Sequence, residues 1–226
     1  MNQNKGFLIT FEGGDGAGKT TLIEKVIPYF EKQYGLKIVT FREPGATRIG
    51  EQIRTVVHNK DNEEMSDRAE LLLYLASRAQ NVEQNIKPAL EEGKIVLLDR
   101  FGDSSIAYQG LGRGLGGRVV SALNRFATCG IEPNFTLLFD VDPEVGLRRR
   151  VEEAGAEWNR LDAEKLEFHQ TVRRAYLSLA SNEGRFVIVD ANQGFDEVFD
   201  RTKRLLETRL GLSGFIERPT VRGERE

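Results

Sequence analysis

Phe7-Leu8-Ile9-Thr10-Phe11-Glu12-Gly13-Gly14-Asp15-Gly16-Ala17-Gly18-Lys19-Thr20 decides the fold. Its first five residues form an apolar run that reads as a buried strand running into a loop. From Thr20 onward, Leu22, Ile23, Val26, Ile27, Phe30 and Tyr34 recur at helical spacing, and Gly35 supplies the stop. Between strand and helix, Gly13 to Thr20 matches G-x-x-x-x-G-K-[ST]. Glycines there let the backbone wrap closely enough for successive N–H groups to point at phosphate oxygens, reinforced by the helix N-terminus. Lys19 adds a mobile positive charge for the β/γ-phosphates. Thr20 offers a hydroxyl to Mg2+, a cation that prefers hard oxygen ligands. The candidate donor site for ATP is therefore Gly13, Gly14, Asp15, Gly16, Ala17, Gly18, Lys19, Thr20 and Thr21.

Four more apolar runs follow: Lys37–Phe41, Ile95–Leu98, Phe135–Phe139 and Phe186–Val189. Helical patterns separate them at about Thr47–His58, Asp67–Gln80 (continuing toward Leu90), Val119–Ala127, Pro143–Glu153, Ala163–Ala180 and Phe195–Leu210. Strands so separated need crossover connections, which predicts a five-stranded parallel sheet covered by helices on both faces, an α/β fold with its ligands at the carboxyl ends of the strands. No repeat or linker divides the chain, so one domain is expected over residues 1–211, with a polar, disordered tail at 212–226. At 226 residues, 39% hydrophobic, 30% charged and net charge −3, the chain has neither the apolar run of a membrane span nor the positive field of a nucleic-acid binder. It reads as cytoplasmic, with no signal peptide. One cysteine, Cys129, and two histidines, His58 and His169, leave no zinc cluster; Cys129 is expected to be buried and the histidines to lie on helix surfaces.

A phosphate loop alone does not choose between a switch GTPase, a motor and a small-molecule kinase. Asp99-Arg100-Phe101-Gly102 fits D-x-x-G, but no N-K-x-D follows it, which sets the GTPase aside. Gly112-Arg113-Gly114-Leu115-Gly116-Gly117 spells G-x-G-x-x-G without a preceding strand and reads as a flexible surface loop. Asp99-Arg100 closes the third strand, where an acid can organise magnesium and an arginine can clamp phosphate bidentately. Arg42-Glu43-Pro44-Gly45 holds a similar place after the second strand, though Glu-Pro-Gly is also a plain turn. Arg78 sits four residues after Tyr74 on one helix, so ring and guanidinium can grip a flat base together. On periodicity alone Tyr74 fits a core position equally well.

Leu98-Asp99-Arg100-Phe101-Gly102-Asp103-Ser104-Ser105-Ile106-Ala107-Tyr108-Gln109 resembles the signature segment of bacterial-type thymidylate kinases. The phosphate loop, Arg42 to Gly45, Arg78-Ala79-Gln80, Gly110 to Leu115 and Val189-Asp190-Ala191 fall in that family's order, so the likeness spans about Lys5 to Gly211. The resemblance implies a P-loop fold of the nucleoside monophosphate kinase type and transfer of the γ-phosphoryl group of ATP, with Mg2+, to dTMP, giving dTDP, in a homodimer. It further implies that Asp15 reaches the 3'-hydroxyl, that Tyr74 stacks on thymine, and that Arg78 and Ser105, beside Ser104, read the base edge. Tyr108 and Gln109 would wall the sugar, Arg100 and Arg54 hold the acceptor phosphate, and Glu43 and Asp99 organise the metal. Gly16 stands where eukaryotic-type members often have arginine, so a transition-state arginine must come from a lid at about 148–162. Arg149 and Arg160 are the candidates, from Arg148-Arg149-Arg150 and Trp158-Asn159-Arg160. The family commonly has Asp-Arg where this chain has Ser77-Arg78 and Asn159-Arg160, and an acid after the lid where Asp162, Glu164 and Glu167 all qualify. Two alternatives remain at this stage: a related kinase with another base preference, and a non-catalytic nucleotide-binding regulator.

Overall fold

A computed structural model describes residues 6–152 and 159–212. Five strands, β1 (Phe7–Gly13), β2 (Ile38–Arg42), β3 (Ile95–Asp99), β4 (Phe135–Asp140) and β5 (Phe186–Asp190), form one parallel sheet in the order β2-β3-β1-β4-β5. Phe11 pairs with Asp99, Arg42 with Asp99, and Gly13 with Phe139, so the chemistry-bearing strand ends lie along one edge. The helices are α1 (Lys19–Tyr34), α2 (Arg48–His58), α3 (Asp67–Asn81), α4 (Lys87–Glu91), α5 (Gly102–Ser105), α6 (Gly117–Ala127), α7 (Pro143–Glu152), α8 (Leu166–Asn182) and α9 (Phe195–Arg209).

Alternation along the strands builds a core on each face. Ile9, Phe11, Leu97, Leu137 and Phe139 meet Leu22, Val26 and Phe30 of α1 and Val198 and Leu206 of α9. On the other face Leu8, Val96 and Leu98 meet Val82, Ile86 and Phe101, while Leu138 meets Tyr108, Val172 and Tyr176. The expected α/β architecture is therefore the observed one, and the helix after residue 67 does continue, through a π-helical turn at Val82–Ile86, into α4.

Three sequence expectations need correction. The polar, glycine-rich stretch after β3 is not all loop: α5 runs directly into a π-helix, Ile106–Gly112, because Asp103, Ser104, Ser105, Tyr108 and Gln109 all face inward and find partners there. Its glycines serve packing. A Cβ on Gly112 would stand 2.8 Å from the Phe168 ring, and one on Gly110 3.3 Å from Gly117 Cα. Cys129 is exposed, in a tight turn at φ 50°, with its thiol donating to Glu83 Oε1 at 3.2 Å. His58 and His169 turn inward from their helices. Residues 213–226 of the expected tail and residues 153–158 of the expected lid at about 148–162 lie outside the described residues.

Candidate active site

The loop between β1 and α1 takes positive φ at Gly13 (140°), Gly16 (71°) and Gly18 (78°), angles that L side chains rarely adopt. Gly16 also lies hard against α7, where a Cβ would come within 2.0 Å of the Gly146 carbonyl oxygen. An arginine at position 16 could not be seated there without moving α7. Lys19 is buried and folds back over the loop, its ammonium donating to the carbonyls of Gly13 (3.1 Å) and Gly14 (2.7 Å). Burial first, then the charge of Arg100, lowers its pKa to about 8, against the pull of Asp99, Asp15 and Glu12. Thr20 Oγ donates to Asp99 Oδ2, so the hydroxyl and the carboxylate proposed for magnesium already meet at the sheet edge.

Arg100 leaves β3 in the left-handed region, φ 70°, and turns its guanidinium toward the phosphate loop. Nη1 donates to Gly13 O (2.9 Å) and Nη2 to Asp15 Oδ1 (2.6 Å), with the Tyr108 ring beneath at 5.2 Å. Two cations, Lys19 and Arg100, thus converge on one carbonyl oxygen. Asp15 also accepts from the Tyr108 hydroxyl at 2.8 Å. Its burial favours the neutral acid, but Arg100, Lys19 and that hydroxyl outweigh it and hold the carboxyl below the usual aspartate range.

These groups line a cleft of about 830 Å³ that runs from Gly194 and Phe195 at one end, past the phosphate loop, to Arg42, Arg54, Tyr74, Ser105 and Gln109 at the other. Every sequence-predicted acceptor residue, Asp15, Glu43, Arg54, Tyr74, Arg78, Arg100, Ser104, Ser105, Tyr108 and Gln109, borders it. Several are already engaged. Arg78 is 1% exposed and donates to Glu43 (2.7 Å), Ser105 (2.9 Å), Asn124 and the Phe101 carbonyl (2.9 Å), which uses four of its five N–H groups. Glu43 accepts from Arg78 and from Asn81 (3.1 Å), and burial raises its pKa against those partners. Arg42 and Arg54 are both anchored on the Pro44 carbonyl, at 3.1 and 3.2 Å.

Arg149 and Arg160, the arginines expected in a lid, lie apart. Arg149, at the cleft, reaches the carbonyls of Ala191 (2.8 Å) and Asn192 (3.5 Å), and Arg150 pairs with Asp162 (3.0 Å). Arg160 does not border the cleft; it pairs with Glu70, which is fully buried and also accepts from Gln109 (2.7 Å) and Arg113 (3.2 Å). Glu70 was missed in the sequence, although it precedes Tyr74 and Arg78 by four and eight residues and so shares their helix stripe.

Glu12 was missed too. Buried in β1, it accepts from the Phe101 N–H (2.7 Å), the Ser104 hydroxyl (2.6 Å) and the Tyr176 hydroxyl (2.8 Å), fixing the segment that carries Arg100. Burial, with the Asp103 charge behind it, pushes its pKa up to about 7 against the hydroxyl and Arg100. An unfolded chain releases this proton near 4.5 while the folded chain keeps it to about 7, so folding takes up a proton in that window and the stability owed to Glu12 declines as pH rises through it. Melting temperatures should show this: between about pH 5 and pH 8 the wild type loses stability relative to Glu12→Gln. Parallel curves would mean that Glu12 is ionised throughout.

The thymidylate kinase family model matches residues 11–202. The chain belongs to the thymidylate kinase family. Among solved structures, the thymidylate kinase of Ehrlichia chaffeensis is 30% identical, with a TM-score of 0.71 over 89% of this chain and 99% of that one. As a thymidylate kinase the enzyme phosphorylates dTMP, with ATP as donor. Among the described residues no helix is long and apolar enough to cross a membrane, and no three His, Cys, Asp or Glu residues converge on a metal site.

Proposed function

We propose that ATP lies along the phosphate loop toward Gly194, that dTMP occupies the cleft between Arg54, Tyr74 and Tyr108, and that Lys19 and Arg100 hold the two phosphates where they meet. The observation that carries this reading is the shared carbonyl of Gly13, to which both cations donate. Thr20 and Asp99 are the residues that would hold Mg2+, whose chemistry there would be neutralisation of phosphate charge. An oxygen of the dTMP phosphate forms a bond to the γ-phosphorus while the bond to the β–γ bridging oxygen breaks, and that electron pair leaves with ADP. No proton has to be removed from the nucleophile, so the protein's part is alignment and charge. Arg100 passes from Asp15 to the acceptor phosphate, which releases Asp15 and Tyr108 toward the deoxyribose. Ser104, already shared by Glu12 and Tyr176, holds that wall, and Ser105 with the last N–H of Arg78 meets the base edge. Arg149 belongs to the donor end, and Arg160 acts once lid closure frees it from Glu70.

On this reading residues 1–211 act as one kinase domain with a lid at about 148–162, in the cytoplasm. A homodimer is supported by apolar side chains left in water on the neighbouring helices α3 and α6: Phe126 is 85% exposed, Leu72 58% and Val119 56%. A coupled ADP-release assay offering dTMP, dUMP, dCMP, AMP and GMP should show preference for dTMP. Preference for any other would transfer the enzyme to a related kinase, and no turnover at all would leave a nucleotide-binding regulator.

A further inference from the structure

Arg100 Nη1 has two hydrogens to place. One goes to the Gly13 carbonyl at 2.9 Å, and the other lies between two hydroxyl oxygens, Ser104 Oγ at 3.3 Å and Tyr176 Oη at 3.5 Å. Both hydroxyls reach a single carboxyl oxygen, Glu12 Oε2, at 2.6 and 2.8 Å, and they stand 2.8 Å from each other. The second oxygen of Glu12 takes the N–H of Phe101, the residue next in the chain to Arg100. Glu12 is fully buried, Tyr176 is 1% exposed, and neither borders the cleft. Both therefore act on a ligand only through residues that do.

The carboxyl matters through the hydrogens it can accept. As a carboxylate, Oε2 accepts from both hydroxyls; as the acid, its own hydrogen closes a ring of three hydrogen bonds with them. In either state each hydroxyl keeps a lone pair, and Nη1 of Arg100 is the donor that faces it. Gln at position 12 has nearly the same shape and breaks this count. With its amide nitrogen at the place of Oε2, both hydroxyls must accept from it, so one of them has to turn its own hydrogen toward the guanidinium. With the amide reversed, its N–H groups meet the N–H of Phe101 instead. We propose that Glu12 is a positioning residue for the acceptor phosphate: it seats the Arg100 guanidinium through the Ser104 and Tyr176 hydroxyls, so that Nη2 can pass from Asp15 to the phosphate while Nη1 stays fixed. This rests on the reading that the acceptor phosphate lies beside Arg100.

Such a role is felt by the phosphate and not by the nucleoside. Binding of dTMP and of thymidine to the full-length enzyme is measured by calorimetry for wild type, Glu12→Gln, Tyr176→Phe, the two combined, and Arg100→Ala, with thermal melts to check folding. Glu12→Gln should weaken dTMP by about tenfold and Tyr176→Phe by about fivefold, while thymidine, which lacks the phosphate, stays within about twofold of wild type in both. Because the two act through the same hydroxyl pair, their combination should weaken dTMP by less than the product of the single losses. Unchanged dTMP affinity in Glu12→Gln overturns the proposal, as do equal losses of dTMP and thymidine, which mark a merely structural carboxyl, and single losses that multiply. If Glu12→Gln does not fold, Tyr176→Phe decides alone by the same contrast between dTMP and thymidine. If Arg100→Ala leaves dTMP affinity unchanged, it is the placement of the acceptor phosphate that fails, and the proposal with it.

Discussion

Lys19→Ala lowers turnover by about 10²- to 10³-fold or more, with the fold intact. The ammonium is the one cation that the phosphate loop itself carries, and it donates to the carbonyls of Gly13 and Gly14. Those carbonyls cannot follow the charge that moves toward the β–γ bridge as the phosphoryl group transfers; the lysine can. Truncation should raise KM for ATP and depress kcat together, while dTMP affinity, which depends on the far side of Gly13, stays near the wild-type value. The same residue predicts a pH limb. With its pKa lowered to about 8 by burial and by Arg100, Lys19 is charged below that pH and neutral above it. ATP binding requires the charged form, so above about pH 8 the nucleotide must bring a proton with it and apparent ATP affinity falls with rising pH; below it the affinity is flat. Turnover of Lys19→Ala within about threefold of wild type would remove Lys19 from the chemistry.

The sheet, the phosphate loop and Asp99-Arg100 were legible because each is written in contiguous residues: an apolar run, a glycine pattern, a charged pair at a strand end. What escaped was long-range and buried. Glu12 follows Leu8 and Thr10 on alternate positions of one strand, and only the fold shows that this face meets Ser104 and Tyr176, more than ninety residues away in sequence. Its acid could have been suspected, since a carboxyl on a buried strand face needs partners. Arg78 reads as a base reader because it stands four residues after the aromatic Tyr74; what the spacing does not carry is that the same side chain ties α3 to Glu43, Ser105, Asn124 and Phe101. The π-helix after Ser105 could not be read from glycine content. Glycine marks a loop and a tight helix contact alike, and only Phe168, lying over Gly112, decides between them.

Arg100→Ala should reduce kcat/KM for dTMP by about 10³-fold while leaving ATP affinity within a few-fold of wild type. Its guanidinium is held in place before substrate binds, on Gly13 O, Ser104 Oγ and Asp15 Oδ1, over the Tyr108 ring. A dianionic acceptor offers a stronger partner than Asp15, and the planar fork can turn from one to the other without leaving Gly13. Alanine has a Cβ like arginine, so the substitution adds no backbone strain at φ 70°. The loss therefore reports on the side chain. Arg100→Lys tests the fork: it keeps the charge and loses the paired N–H geometry, and should recover only about a tenth of the lost rate. Asp15→Asn separates the remaining effect. In the wild type it frees Arg100 from its resting partner and costs the deoxyribose contact; in the Arg100→Ala background only the second cost is left, so the two substitutions are non-additive. Strict additivity would mean that Arg100 and Asp15 never exchange partners, and an Arg100→Lys enzyme at wild-type rate would reduce Arg100 to a simple point charge.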